Sequence, residues 1–170
     1  MASSEPTKEL SAFIAKTGYS DLPAAVLART KDCILDWVGC AYVGKDSPAD
    51  ASMAALIREM GGRRVSTLVG AGRSASPMQA ALYNGMISAV MEIDDVHEMV
   101  SLHPGIGVIP AALAVAEYAR ASGKDLLTAV AVGYDVAVRV ARAGGDSHYH
   151  FWHSTGTCDT FGAAAAAGKI

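Results

Sequence analysis

Residues Phe161-Gly162-Ala163-Ala164-Ala165-Ala166-Ala167-Gly168 form a run almost without side chains. Such a segment favours helix through its alanines, but it carries too little apolar bulk to be stable alone. It belongs in a set of helices packed so closely that backbones nearly touch. The rest of the sequence agrees. Hydrophobic residues make up 51% of the chain and charged residues 18%, so a sizeable core can form and disorder is excluded. Aromatic residues are only 6%, which argues against a strand-rich sandwich. The 170 residues suit one domain, or a large piece of a bigger one.

Helix start and stop signals divide the chain. Thr7–Lys16 reads as a short helix with Leu10, Phe13 and Ile14 on one face, ended by Gly18. Asp21-Leu22-Pro23 reads as a cap and first turn for a helix running to Val43 and stopped by Gly44, with Val26, Ile34, Trp37 and Tyr42 inward. Ser47-Pro48 opens a helix closed by Gly61-Gly62, and Ser76-Pro77 opens one through Met91. Gly105–Ala121, Lys124–Ala143 and Thr155–Ile170 complete the set. The alternation of Val65, Thr67 and Val69 predicts at most one short strand, near 64–70. The expected fold class is all-α.

The net charge of −3 and the lack of any basic run exclude the electrostatic footprint of a nucleic-acid binder. No apolar stretch is long enough for a membrane span, and residues 1–11 carry no secretory leader, so a cytoplasmic protein is expected. Cys33, Cys40 and Cys158 have no paired spacing and read as core thiols. The chain stops at Lys169-Ile170 without a polar tail, so it is expected to end inside a larger fold.

All five histidines fall in two helix-to-helix connections, where catalytic groups tend to collect. The first runs from Glu92-Ile93-Asp94-Asp95-Val96-His97 to Ser101-Leu102-His103-Pro104-Gly105. Three carboxylates within four residues repel one another, and enclosure would raise at least one pKa. A carboxylate of that kind beside an imidazole is what general acid–base chemistry uses. Asp94 and Asp95 could instead cap the preceding helix, but negative charge at a helix C-terminus is unfavourable. The second connection, Asp146–Thr157, holds His148, His150 and His153. Ser154 or Thr155 is the expected N-cap of the last helix, and its free N–H groups, with Thr155, Thr157 and His153, suit a substrate carboxylate. His148 and His150 alternate in a loop and read as exposed.

Asp94, Asp95, His97 and His103 are ligand types for a metal hydrolase, but neither HExxH nor CxxC spacing occurs, and no metal is expected. No nucleophile elbow appears, and Gly70-Ala71-Gly72 lacks the spacing of a dinucleotide loop.

An ordered set of short motifs resembles the MmgE/PrpD family along essentially the whole chain. It comprises Asp21-Leu22-Pro23, Leu35-Asp36-Trp37-Val38-Gly39-Cys40, Ala80-Ala81-Leu82-Tyr83-Asn84-Gly85, Glu92-Ile93-Asp94-Asp95, His103-Pro104-Gly105, His153-Ser154-Thr155-Gly156-Thr157 and Phe161-Gly162 with its alanine run. The family includes 2-methylcitrate dehydratases, cis-aconitate decarboxylases and iminodisuccinate epimerases. The resemblance implies a homodimeric enzyme with a large helical domain and a smaller lid, of which residues 1–170 are the incomplete N-terminal part. The lid, the C-terminal helices, and an active-site lysine and tyrosine would come from elsewhere, in the same protein or in a second chain.

The resemblance implies no cofactor. It matches His103 and His153 to active-site histidines, and places Glu92 where the decarboxylase branch has an aspartate and Val96 where it has a threonine. The Glu92–His103 spacing is one residue longer than in that branch. These departures point toward the broader MmgE-like group. The implied activity is metal-independent lyase chemistry on a small di- or tricarboxylate, of the 2-methylcitrate dehydratase kind, with epimerase and decarboxylase as alternatives. His103 would be acid or base, with Glu92 as partner and with His153 and Asp94 in the catalytic set. Thr155, Thr157, Asp95 and His97 would bind substrate. A catalytically incomplete helical module for interaction or dimerisation is the alternative of another class.

Overall fold

The computed structural model describes residues 5–170, so part of the stretch read as lacking a leader lies outside the described residues. Helix α1 spans Pro6–Lys16, α2 Ala24–Gly44 and α3 Pro48–Met60. A hairpin of β1 (Ser66–Leu68) and β2 (Arg73–Ala75) follows. Then come α4 (Pro77–Ala89), α5 (Gly105–Ala119), α6 (Gly123–Gly144) and α7 (Ser154–Lys169). The architecture is mostly helical, as expected. Among the described residues no helix is long and apolar enough to cross a membrane.

Local chemistry sets most of the boundaries. The Ser47 hydroxyl accepts from the Asp50 N–H at 3.3 Å ahead of Pro48, and Gly61 leaves α3 with a positive φ of 63°. Ser76 and Gln79 form a capping box at the start of α4, and Ser122 and Asp125 form one at α6. Asp21 does not cap α2. It sits in a short 3-10 turn, Tyr19–Asp21, and its carboxylate accepts from the Gly18 N–H at 2.8 Å.

The single strand expected near 64–70 is corrected to two. The chain reverses through Gly70 and Gly72, both at positive φ, and returns as β2, pairing Ser66 with Ala75, Thr67 with Ser74 and Leu68 with Arg73. Residues of α4 and α5 hold the hairpin. Asn84 accepts from the Val69 N–H at 2.9 Å and donates to the Thr67 carbonyl at 2.8 Å. Both Glu117 carboxylate oxygens accept from Thr67, one from its N–H and one from its hydroxyl, at 2.6 Å each.

Helix α5 is the centre of the molecule. Val108, Ile109 and Ala112 are buried with Trp37, Ala129, Val130 and Ala166, drawn from α2, α6 and α7. Pro110 lies inside α5 and removes the N–H that would have bonded to the Ile106 carbonyl. Helix α4 approaches there, and a Cβ on Gly85 would lie 2.9 Å from that same oxygen.

Two further glycines explain why small residues dominate. At the α6–α7 crossing, a Cβ on Gly162 would meet the Gly133 carbonyl and Ala137 Cβ at 2.8 Å each and Val108 at 2.9 Å. Gly44 does not stop α2 from outside. It is the last residue of that helix, where any Cβ would collide with the Ile87 carbonyl of α4. Val26 and Tyr42, expected inward, are exposed on α2, whereas Trp37 is buried.

Candidate active site

Between α4 and α5 the chain makes a closed loop. Glu92 at φ 51° and Ser101 at φ 46° supply two left-handed bends. The His97 N–H donates to the Leu102 carbonyl at 2.7 Å, pinching the loop at its base. Leu102 is fully buried with Ala137, Ala141 and Cys158, which anchors the loop to α6 and α7. His103 comes next, one residue before Pro104, the N-cap of α5.

This geometry brings the two histidine segments together. The His103 N–H donates to the Thr155 hydroxyl at 3.1 Å, tying the start of α5 to the first turn of α7. The His103 Nδ1 lies 2.9 Å from Asp94 Oδ2. The Asp94 side chain is only 5% exposed, whereas that of His103 is 37% exposed. A nearly buried carboxylate thus holds one ring nitrogen of an imidazole that reaches the surface. A carboxylate in that position selects the tautomer with the proton on Nδ1 and leaves Nε2 as the nitrogen with a free lone pair.

Asp95 turns the other way. Its Oδ1 accepts from the Gly105 N–H at 3.0 Å, and its Oδ2 accepts from the Tyr134 hydroxyl at 2.9 Å. Gly105 is required there, because a Cβ would fall 2.6 Å from Asp95 Oδ1. Burial raises the Asp95 pKa above the usual carboxylate range, its two hydrogen bonds oppose the rise, and Asp36 and Asp94 add to it. Burial beside Asp95 likewise pushes the Tyr134 phenol well up.

Glu92 was expected as the partner of His103. It is exposed, and Asp94 occupies that place. The left-handed backbone at Glu92 begins a turn that carries Asp94 and Asp95 inward, while Ile93 stays exposed. The cap of α7 also differs from expectation. It is His153, whose Nδ1 accepts from the Gly156 N–H at 3.3 Å, so that N–H is not free for an anion. Ser154 and Thr155 are buried, and the Thr155 hydroxyl braces His103 instead of facing outward. Thr157 is half-buried.

His97 is half-buried, with an Nδ1 that has no hydrogen-bond partner among the described residues. His148, read as exposed, is half-buried beside Gly144, while His150 is exposed. Asp159 was missed altogether. It lies one helical turn after Thr155 and is buried against Gly107. The visible signal was a lone acid four residues beyond Thr155, at the head of an alanine and glycine helix.

Comparison with known proteins gives the chain a family. The family model described as the MmgE/PrpD N-terminal domain matches residues 8–170. A cis-aconitate decarboxylase-like protein, oryM, of Aspergillus oryzae (strain ATCC 42149 / RIB 40) is 33% identical over 173 residues, covering 96% of this chain and 36% of the relative. The cis-aconitate decarboxylase of Aspergillus terreus is 29% identical over 176 residues, covering 99% of this chain and 36% of the relative. The chain therefore spans about a third of the length of the curated relatives it matches. It belongs to the MmgE/PrpD family, as an N-terminal domain.

Proposed function

We propose that this MmgE/PrpD N-terminal domain supplies the His103 wall of an acid–base active site that carries out lyase chemistry on a small di- or tricarboxylate. The observation that carries the proposal is the Asp94–His103 pair, 2.9 Å between Oδ2 and Nδ1, with the imidazole exposed and the carboxylate buried. In a dehydration, His103 Nε2 takes the proton from the carbon next to a substrate carboxylate. The C–H electron pair becomes the new double bond, and the hydroxyl on the neighbouring carbon leaves as water with a proton from an acid. Asp94 stabilises the imidazolium formed meanwhile, and Thr155 keeps the main chain of His103 in place.

A second reading is decarboxylation, favoured by the names that the relatives bear. There the bond to a carboxylate breaks, CO₂ leaves, and His103 in its protonated form delivers a proton to the carbon that keeps the electrons. Where a C–H proton is removed, no group leaves and a proton returns on the opposite face, the outcome is an epimerisation. In this reading His153, the exposed N-cap of α7, meets substrate, whereas Thr155 acts through His103.

The remaining wall comes from outside this chain, from further sequence, a second chain or a second copy. Exposed apolar side chains on α2 and α4 (Leu35, Tyr42, Met78 and Leu82) support a covering partner. The test is His103→Ala in the full-length enzyme, assayed for water loss from 2-methylcitrate and for CO₂ release from cis-aconitate. Loss of one activity supports the assignment and selects the reaction. Turnover equal to wild type on the true substrate overturns it.

A further inference from the structure

Asp159 is a buried group that the acid–base reading does not use. It is 5% exposed, and among the described residues neither carboxylate oxygen has a hydrogen-bond partner. It packs against Gly107 in the first turn of α5, where a Cβ would fall 2.6 Å from Asp159 Oδ2. The bare glycine therefore makes the room that the carboxyl fills. The groups that face it are known from every side. Asp94 and Asp95 come from the α4–α5 loop, the Tyr134 hydroxyl from α6, the Gly107 N–H from α5 and Cys158 from its own helix. Cys33 of α2 stands beside Tyr134. The ion pairs among the described residues join Asp159 to no lysine, arginine or histidine.

Among the described residues, only one influence favours the charged form, the N-terminus of α5. That site is already served by Asp95 through Gly105, and the Gly107 N–H lies near Asp159 without a normally formed hydrogen bond. One helix terminus returns less than an unpaired, buried carboxylate costs, and two neighbouring carboxylates add repulsion.

We propose that Asp159 is a positioning residue for the His103 site, acting as a neutral carboxylic acid that fills the space at the N-terminus of α5 without adding a third negative charge beside Asp94 and Asp95. The inference rests on the reading of His103 as the acid–base group. When Asp159 loses its proton, the new charge pushes on Asp95, whose two hydrogen bonds set the start of α5. Asp94 precedes Asp95 directly, so the movement reaches the carboxylate that holds His103. Burial, reinforced by Asp95, lifts the Asp159 pKa to about 8, so the change falls on the alkaline side of neutrality.

The experiment is NMR of this chain between pH 4 and pH 10. It follows the Asp159 side-chain carbon and the Gly105 and Gly107 amides, in wild type and in Asp159→Asn. The expected result is an Asp159 that keeps its proton at pH 7, with both amides shifting at its alkaline midpoint. That shift disappears in Asp159→Asn, which presents the neutral form permanently. Titration of Asp159 in the ordinary acidic range overturns the proposal, as does a Gly105 shift that survives the substitution. Should the variant fail to fold, the wild-type titration decides. Coincident alkaline midpoints at Asp159 and Gly105 support the proposal, and separate ones overturn it. Neither readout uses turnover, so its failure is distinct from that of His103→Ala.

Discussion

Gly162→Ala tests the packing on which the site stands. The added methyl meets three things at once: the Gly133 carbonyl and Ala137 Cβ at 2.8 Å and Val108 Cγ2 at 2.9 Å. The first two belong to α6 and the third to α5, so no single side chain can step aside to relieve the contact. Overpacking of this kind costs about 1–3 kcal/mol, and a backbone oxygen among the contacts puts Gly162 at the upper end. Replacing glycine by alanine inside a helix returns about 1 kcal/mol. The net expectation is a loss of about 2 kcal/mol, or roughly 4–8 °C in Tm for a domain of this size.

Gly39→Ala is the matched control. Gly39 lies inside α2, and a Cβ there meets nothing within 4 Å, so the helix gain of about 1 kcal/mol stands alone. Urea unfolding followed by circular dichroism reads both. The midpoint should fall for Gly162→Ala and rise for Gly39→Ala, with equal slopes. A Gly162→Ala midpoint at or above wild type would refute the claim that backbone contact sets the α6–α7 crossing.

Three further outcomes are expected. Asn84→Ala strips β1 of the side chain that satisfies the Val69 N–H and the Thr67 carbonyl, and should cost about 2–4 kcal/mol in the same urea assay. Asp94→Asn in the full-length enzyme should lower kcat by on the order of 10²–10⁴, because the amide cannot stabilise the imidazolium, and an unchanged kcat would remove Asp94 from the site. Asp159→Asn should flatten the pH dependence of stability. A carboxyl raised from 3.8 in the unfolded chain to about 8 in the folded one favours folding most below pH 4 and loses that contribution as pH rises to about 8. At 1.36 kcal/mol per pH unit, the loss is on the order of 5 kcal/mol in wild type, and thermal melts at pH 5 and pH 8 should show most of it gone in the variant.

Helix starts were legible because capping is local. Ser47-Pro48 and Ser76-Pro77 carry their own hydrogen-bond acceptors and a preset φ, so α3 and α4 begin where those pairs stand. The second strand was not legible, since Arg73, Ser74 and Ala75 have no strand character of their own and take it from pairing with β1. At the candidate site, residue types and spacing singled out the loop that carries His103 but expected Glu92 beside the imidazole, where the structure places Asp94. Whether Glu92 or Asp94 reaches His103 depends on a left-handed backbone at a non-glycine residue, which no pattern announces. His153 as a cap escaped notice because histidine is an unusual N-cap beside Ser154 and Thr155. Asp159 was hidden for a different reason. Its burial is a property of the α5–α7 contact, and its neighbours Gly107, Asp95 and Tyr134 lie 25 to 64 positions away.

The burial of α5 has a consequence for motion. Its amides can exchange with solvent only when much of the molecule opens, because the helix is enclosed by α2, α4, α6 and α7. His103 and Pro104 sit at the mouth of this enclosed segment, whereas Glu98 and Met99 at the tip of the preceding loop are exposed and held mainly by the His97–Leu102 bridge. The imidazole thus stands at the end of an enclosed helix while the loop beside it is exposed, so far more packing must break to move the backbone that carries the ring than to move its neighbour.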